Sequence, residues 1–175
     1  MAIQNYGKET VSSFLVRDKY NIPDYQREYA WITDEQIDDF WTDLEYSINE
    51  DTSHFFGQIV IHNNRYEKKK YIIDGQQRTT TCIIFLAVLR DLFKNLYDET
   101  EYDSASYKFE DIRTKYIGRW SEEENELRFT LGDTDREFFK EYVQKGNTFP
   151  EKPIEASHIR IKEAYNYFKN KLESK

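Results

Sequence analysis

The stretch YIIDGQQRTTTCIIFLAVLRDL, Tyr71–Leu92, decides how the rest of the chain is read. Its first residues, Tyr71, Ile72 and Ile73, form a short apolar run of the kind a buried strand needs. Asp74 and Gly75 end that run, and apolar residues then recur at helical spacing through Ile83, Leu86, Leu89 and Phe93. From Cys82 to Leu89 the segment is apolar nearly all round, the pattern of a helix at the centre of a core. Strand, glycine turn and helix start bring free backbone N–H groups together, where the helix dipole favours negative charge. Arg78, the amides of Gln76 and Gln77 and the hydroxyls of Thr79, Thr80 and Thr81 fall at that point, so an anion or phosphate site is expected there. Asp74, at the strand end, adds a candidate ligand for a metal ion or a water.

Upstream, Gln58-Ile59-Val60-Ile61-His62 is rich in β-branched residues and reads as a strand, Asn63-Asn64 as a turn, and Tyr66–Ile73 as the returning strand of an antiparallel hairpin. Lys68, Lys69 and Lys70 would decorate its exposed part. Before the hairpin, Thr33 and Gln36 have capping-box spacing, and Ile37, Phe40, Trp41, Leu44 and Ile48 mark one apolar helical face. The opposite face is acidic, with no Lys or Arg between Asp34 and Asp51, and reads as solvated surface. Earlier still, ETVSSFLV (residues 9–16) suggests a short helix or turn, and Pro23 disfavours helix at Ile22, so Ile22–Arg27 is expected to be extended. Alternation would then place Tyr25 and Arg27 on one face and Gln26 on the other.

Downstream, residues 98–126 are polar and weakly patterned, with Tyr107–Trp120 a candidate helix. Leu127–Leu131 reads as a strand. Asp133 or Thr134 would cap a helix carrying Phe138, Phe139, Tyr142 and Val143, stopped by Gly146. Ser157 would cap a last helix with Ile161, Ala164, Tyr165, Phe168 and Leu172 on one face. The chain ends at Lys175 directly after that helix, as an N-terminal piece of a longer protein would.

The 175 residues suffice for one well-buried domain and are short for two. A formal net charge of −8 argues against wrapping of nucleic acid by the whole surface, though not against a local basic site. The aromatic content is high, and its 14 tyrosines offer ring faces with a polar tip. Cys82 is the only cysteine, so neither a disulfide framework nor a cysteine zinc cluster can form, and its place in the apolar helix reads as a buried, inert thiol. No segment has signal-peptide or membrane-spanning character, so no membrane partner is expected and the cytoplasm is the default location.

Three motifs in order, IPDYQREYAW (Ile22–Trp31), FFGQIVI (Phe55–Ile61) and YIIDGQQRTTT (Tyr71–Thr81), resemble the ParB-like DGQQR family. That family forms the N-terminal part of GmrSD-type, modification-dependent restriction enzymes and related anti-phage proteins. LRFTLGDTDREFF and SHIRIKEAYNYF also fit its pattern, so the resemblance covers nearly the whole chain. It implies an α/β (α+β) fold similar to ParB and sulfiredoxin, a small mixed sheet packed by several helices. It also implies binding and hydrolysis of a nucleoside triphosphate with Mg²⁺, coupled to DNA cleavage by a C-terminal or partner HNH-type nuclease domain. The Asp74–Arg78 pentapeptide matches without departure, and Tyr25, Gln26, Arg27 and Trp31 match the first motif, which some relatives use in recognising modified DNA. Thr79 stands where leucine is common. With only His54, His62 and His158 and no His-Asn-His pattern, this chain is not itself the nuclease.

On this resemblance Asp74, Gln76, Gln77 and Arg78 are the catalytic candidates. Gly75, Gln77, Arg78, Thr79, Thr80, Gln26, Arg27, Gly57 and Gln58 are candidates for holding nucleotide, Tyr25, Gln26 and Tyr29 for meeting DNA or a base, and Asp74 for the metal. Each has a structural alternative. Arg78 can pair with an acidic neighbour, Asp74 can cap its own turn, and the threonines can satisfy open helix N–H groups. The first motif can be an aromatic strand over the core, and Gly57 can admit neighbouring backbone as readily as ligand. The sequence leaves homo-oligomerisation open.

Overall fold

The computed structural model describes residues 6–120 and 125–174. The fold is mixed α/β, as expected. Helix α1 (Val11–Arg17) starts at Thr10, whose hydroxyl accepts from the Ser13 N–H at 3.1 Å, and buries Phe14 and Leu15. Strand β1 (Tyr20–Asn21) follows, and a π-helical turn at Thr33–Ile37 leads into α2 (Asp38–Asn49). Only half of the expected capping box forms. The cap position is Ile32, whose N–H donates to Gln36 Oε1 at 3.2 Å, while Thr33 lies one residue inside. Ile37 and Trp41 are buried, but Ile48 is exposed, so the apolar face stops short of the helix end.

Strands β2 (Val60–Asn64) and β3 (Lys69–Asp74) form the expected antiparallel hairpin. Its turn is displaced from Asn63-Asn64 to residues 65–68, because Asn64 Oδ1 accepts from the N–H groups of Tyr66 and Glu67 and so opens the turn instead of occupying it. Lys70 is drawn to Asp18 at 2.5 Å, and Lys68 and Lys69 remain exposed.

Helix α3 (Gln76–Thr100) begins directly after β3 and is the hub of the molecule. Ile83, Ile84, Ala87 and Val88 are fully buried, and α3 packs on α4 (Asp103–Ile112) and α6 (Ala156–Glu173). An aromatic cluster of Phe40, Trp41, Phe85 and Phe168 ties α2, α3 and α6 together, with Phe85 and Phe168 5.4 Å apart edge to face. The expected Tyr107–Trp120 helix breaks up. Past α4 it becomes a π-helical turn at Arg113–Ile117, and Gly118, at φ 115°, opens strand β4 (Gly118–Trp120), which pairs antiparallel with β5 (Asn125–Leu127). Residues 121–124 of that weakly patterned segment lie outside the described residues.

Strand β6 (Phe129–Thr130) is separated from β5 at Arg128, so the expected Leu127–Leu131 strand serves two sheets. Gly132 precedes α5 (Asp133–Phe138), which runs on as a π-helical turn through Gln144 and stops at Gly146. The cap position of helix α6 is Glu155, whose side chain makes no capping bond; Ser157 lies inside the helix and its hydroxyl turns to Asp135.

The four-stranded sheet has the order β2-β3-β1-β6, with β1 parallel to both β3 and β6. The carboxyl ends of β1, β3 and β6 therefore point the same way. Open sheets with parallel strands bind ligands at that edge.

Candidate functional site

Three segments leave that edge: Ile22–Trp31 after β1, Asp74–Arg78 after β3, and Leu131–Asp135 after β6. Two recesses lie among them. One is bounded by all three segments, the other by Gln26, Arg27, Trp31 and the stretch Ile73–Arg78. They share Gln26, Arg27, Gln76 and Gln77.

Gly75 makes the turn possible. Its φ of 89° is a left-handed conformation, and a Cβ there would stand 3.0 Å from Ile59 Cγ1 and 3.2 Å from the Gln58 carbonyl. The first helical bond of α3 runs from the Thr79 N–H to the Gly75 carbonyl, 3.0 Å. The N–H groups of Gln76, Gln77 and Arg78 thus have no helical partner. No side chain caps this end, and no acidic residue occupies the first turn.

The expected extended stretch Ile22–Arg27 is instead a turn, closed by the Gln26 N–H on the Pro23 carbonyl at 3.0 Å. Proline fixes its own φ and restricts the residue before it, but leaves Asp24 and Tyr25 free to turn. The alternation of faces expected for Tyr25, Gln26 and Arg27 is lost with it. Tyr25 is 78% exposed beside the recesses, and Gln26 donates to the Ile73 carbonyl at 3.0 Å. Tyr29 is corrected more firmly. It is 3% exposed and bonds its hydroxyl to Thr81 Oγ1 at 2.8 Å, so its ring offers no face to a base, and burial pushes its phenol well above the usual range.

The paired glutamines act as a zipper between motifs. Gln77 accepts from the Ala30 N–H at 2.8 Å and donates to the Glu28 carbonyl at 3.0 Å, so both ends of its amide serve the first-motif backbone rather than ligand. Gln76 donates to the Arg27 carbonyl at 3.4 Å and lines both recesses. Thr79, Thr80 and Thr81 are buried, each hydroxyl donating to the carbonyl four residues back. The nucleotide-holding role expected of Thr79 and Thr80 is therefore not one their hydroxyls can fill. Cys82 is buried as expected, which pushes its thiol up to about 12.

Among the described residues Arg78 does not pair with an acid. Its Nη2 donates to the Gln58 carbonyl at 2.7 Å and its Nη1 to the Phe56 carbonyl at 3.4 Å. Arg27 is exposed beside the same recess, and among the described residues neither arginine has a carboxylate partner. Gly57 faces the guanidinium of Arg78, and Gln58 is exposed. Asp74 is exposed and is the one carboxylate lining this recess. Among the described residues no three His, Cys, Asp or Glu side chains gather as a metal site.

The wall beyond β6 was not foreseen. Asp24 Oδ1 accepts from the Asp133 N–H at 3.1 Å and from Arg136 at 2.9 Å. The buried carboxylate of Asp135 accepts from the Tyr29 N–H at 2.9 Å and from the Ser157 hydroxyl at 2.5 Å, with His158 3.6 Å away. The signal was present: Phe129 to Arg136 repeats the strand–glycine–helix pattern of Tyr71 to Arg78.

Residues 10–175 match the N-terminal domain of the GmrSD restriction endonuclease. The chain belongs to this family. No curated protein matches it. As a GmrSD N-terminal domain it is part of a restriction system, and the family's name, that of an endonuclease, points to a nuclease domain as its partner. Among the described residues no helix of this domain is long and apolar enough to cross a membrane.

Proposed function

We propose that this domain binds a nucleoside triphosphate in the recess between the Asp74–Arg78 turn and the first motif, and thereby regulates the nuclease of its restriction system in the cytoplasm. The observation that carries the reading is the convergence of the uncapped start of a 25-residue helix with two arginines that lack acidic partners among the described residues. Free N–H groups and planar guanidinium forks are the donors that phosphate oxygens select. One carboxylate suits a metal held chiefly by phosphate, as Mg²⁺ is, and Asp74 is placed for that role. Mg²⁺, when bound there, would screen the phosphate charge. Arg78 and Arg27 would grip the phosphates, and Gln76, whose amide oxygen accepts no bond among the described residues, would orient water for hydrolysis. Gln77 would hold the two motifs in register. The exposed Tyr25 ring would stack on the base.

Tyr25 also favours a second reading, in which the same donors hold a phosphate of modified DNA and the ring meets an exposed base. Calorimetry of the domain with each of the four ribonucleoside triphosphates and Mg²⁺, and with duplexes carrying modified bases, separates the two. The expected result is triphosphate binding that Arg27→Ala weakens about tenfold, with phosphate release in the same mixture. Binding without release would leave a nucleotide switch. Binding of modified duplex alone would overturn the nucleotide reading.

A further inference from the structure

Gly57 was expected to touch backbone or ligand; what it touches is Arg78. Its φ is 105°, and a Cβ built there would overlap Arg78 Nη1 and stand 2.5 Å from Cζ. The carbonyls on either side, Phe56 and Gln58, are the ones that accept from Nη1 and Nη2. Carbonyl, bare glycine and carbonyl thus make a seat that fits a planar guanidinium and would not admit one if position 57 carried a side chain.

The seat is fixed at both ends. The Phe56 ring packs edge to face on Phe40 at 6.3 Å, anchoring one carbonyl to α2. The other carbonyl lies close against Gly75, at the turn that starts α3. Both acceptors are neutral, so the positive charge of Arg78 is oriented without being cancelled. Its remaining N–H donors have no partner among the described residues. An arginine already held in its binding geometry gives up less freedom when an anion arrives.

We infer that Gly57 is a positioning residue for the anion site, acting only through Arg78. This rests on the phosphate-binding reading above. The consequence is non-additivity: residues that act as one unit do not lose affinity twice.

The test is a double-mutant cycle on affinity for inorganic triphosphate and for ribonucleoside triphosphates, by calorimetry, with melting temperature measured alongside. Gly57→Ala should weaken binding at least tenfold, and Arg78→Ala should weaken it more. The double variant should bind no worse than Arg78→Ala alone. It should also melt no lower than Gly57→Ala, because a guanidinium displaced from its seat has already given up the two carbonyl bonds that Arg78→Ala removes. That melting comparison reads the contact even if Gly57→Ala folds poorly. Wild-type binding with Gly57→Ala unaffected, or with losses that simply add, would overturn the inference and leave the phosphate site standing. No triphosphate binding by the wild type would overturn both.

Discussion

Helix α3 carries two arginines, Arg78 at its start and Arg90 beyond its middle, and their surroundings are built alike. Each rests against a glycine of positive φ, Gly57 at 105° and Gly146 at 78°, and each donates to two backbone carbonyls. A Cβ on Gly146 would come within 2.7 Å of Arg90 Nη2, much as one on Gly57 would collide with Arg78. The difference lies in charge. Arg90 is buried and bonds Asp91 with both Nε (2.8 Å) and Nη2 (2.9 Å), and Asp91 in turn accepts from Tyr165 on α6. Arg78 is half-buried and, among the described residues, meets only neutral oxygens. The same backbone device thus serves two ends: a neutralised arginine closes the core, and an un-neutralised one leaves its charge for something else. The seat gives position; the carboxylate, or its lack, decides the role.

The largest expected effect falls on the closed member of the pair. Arg90→Ala would strand the Val143 and Gln144 carbonyls and leave Asp91 without its cation, at a cost of about 3–5 kcal/mol in chemical denaturation. Triphosphate affinity of the remaining folded protein should be unchanged; a loss of affinity would erase the distinction between the two arginines. Arg78→Ala should behave conversely. Stability should move by about 1 kcal/mol, because its acceptors are reachable by water, while calorimetric affinity falls by roughly 1.5–3 kcal/mol, the range for hydrogen bonds to charged groups. A melting loss as deep as that of Arg90→Ala would make Arg78 a second structural arginine. The smallest effect is expected at Thr80→Val. Its hydroxyl is spent on the Gln76 carbonyl, so affinity should change less than about twofold. A tenfold loss would put the threonines on the ligand side after all.

The turn at Asp74–Gly75, its strand and its helix were legible because each is encoded by neighbours: an apolar run, a glycine, a helical period. The hairpin and the buried thiol were legible for the same reason. What neighbours do not encode was read less well. Whether Gln77 faces ligand or backbone depends on Glu28 and Ala30, which only the folded sheet brings alongside. Thr79 and Thr80 look like phosphate ligands in a linear motif, yet in a helix their hydroxyls find the carbonyl one turn back. Tyr29 reads as a surface aromatic until Thr81 and the α5 start close over it. Arg90 did carry a signal, the first charge after the apolar run Cys82–Leu89, and a charge on a buried helix needs partners. Its acceptors at Val143 and Gln144 belong to a segment whose position no local pattern gives.

Strand β1 spans only Tyr20–Asn21, yet it joins the β2–β3 hairpin to β6. Pairing of Tyr20 with Phe129 brings the segment after β6 alongside the first motif, where Asp24 and Tyr29 meet it. A chain emerging from the ribosome would carry its DGQQR turn long before the Asp133 and Asp135 contacts exist to brace the loop facing it. Pairings so distant in sequence form late, after the local hairpin and helices. The recess bounded by all three segments is therefore expected to close last, and a chain truncated before β6 would carry the motif without that recess's far wall.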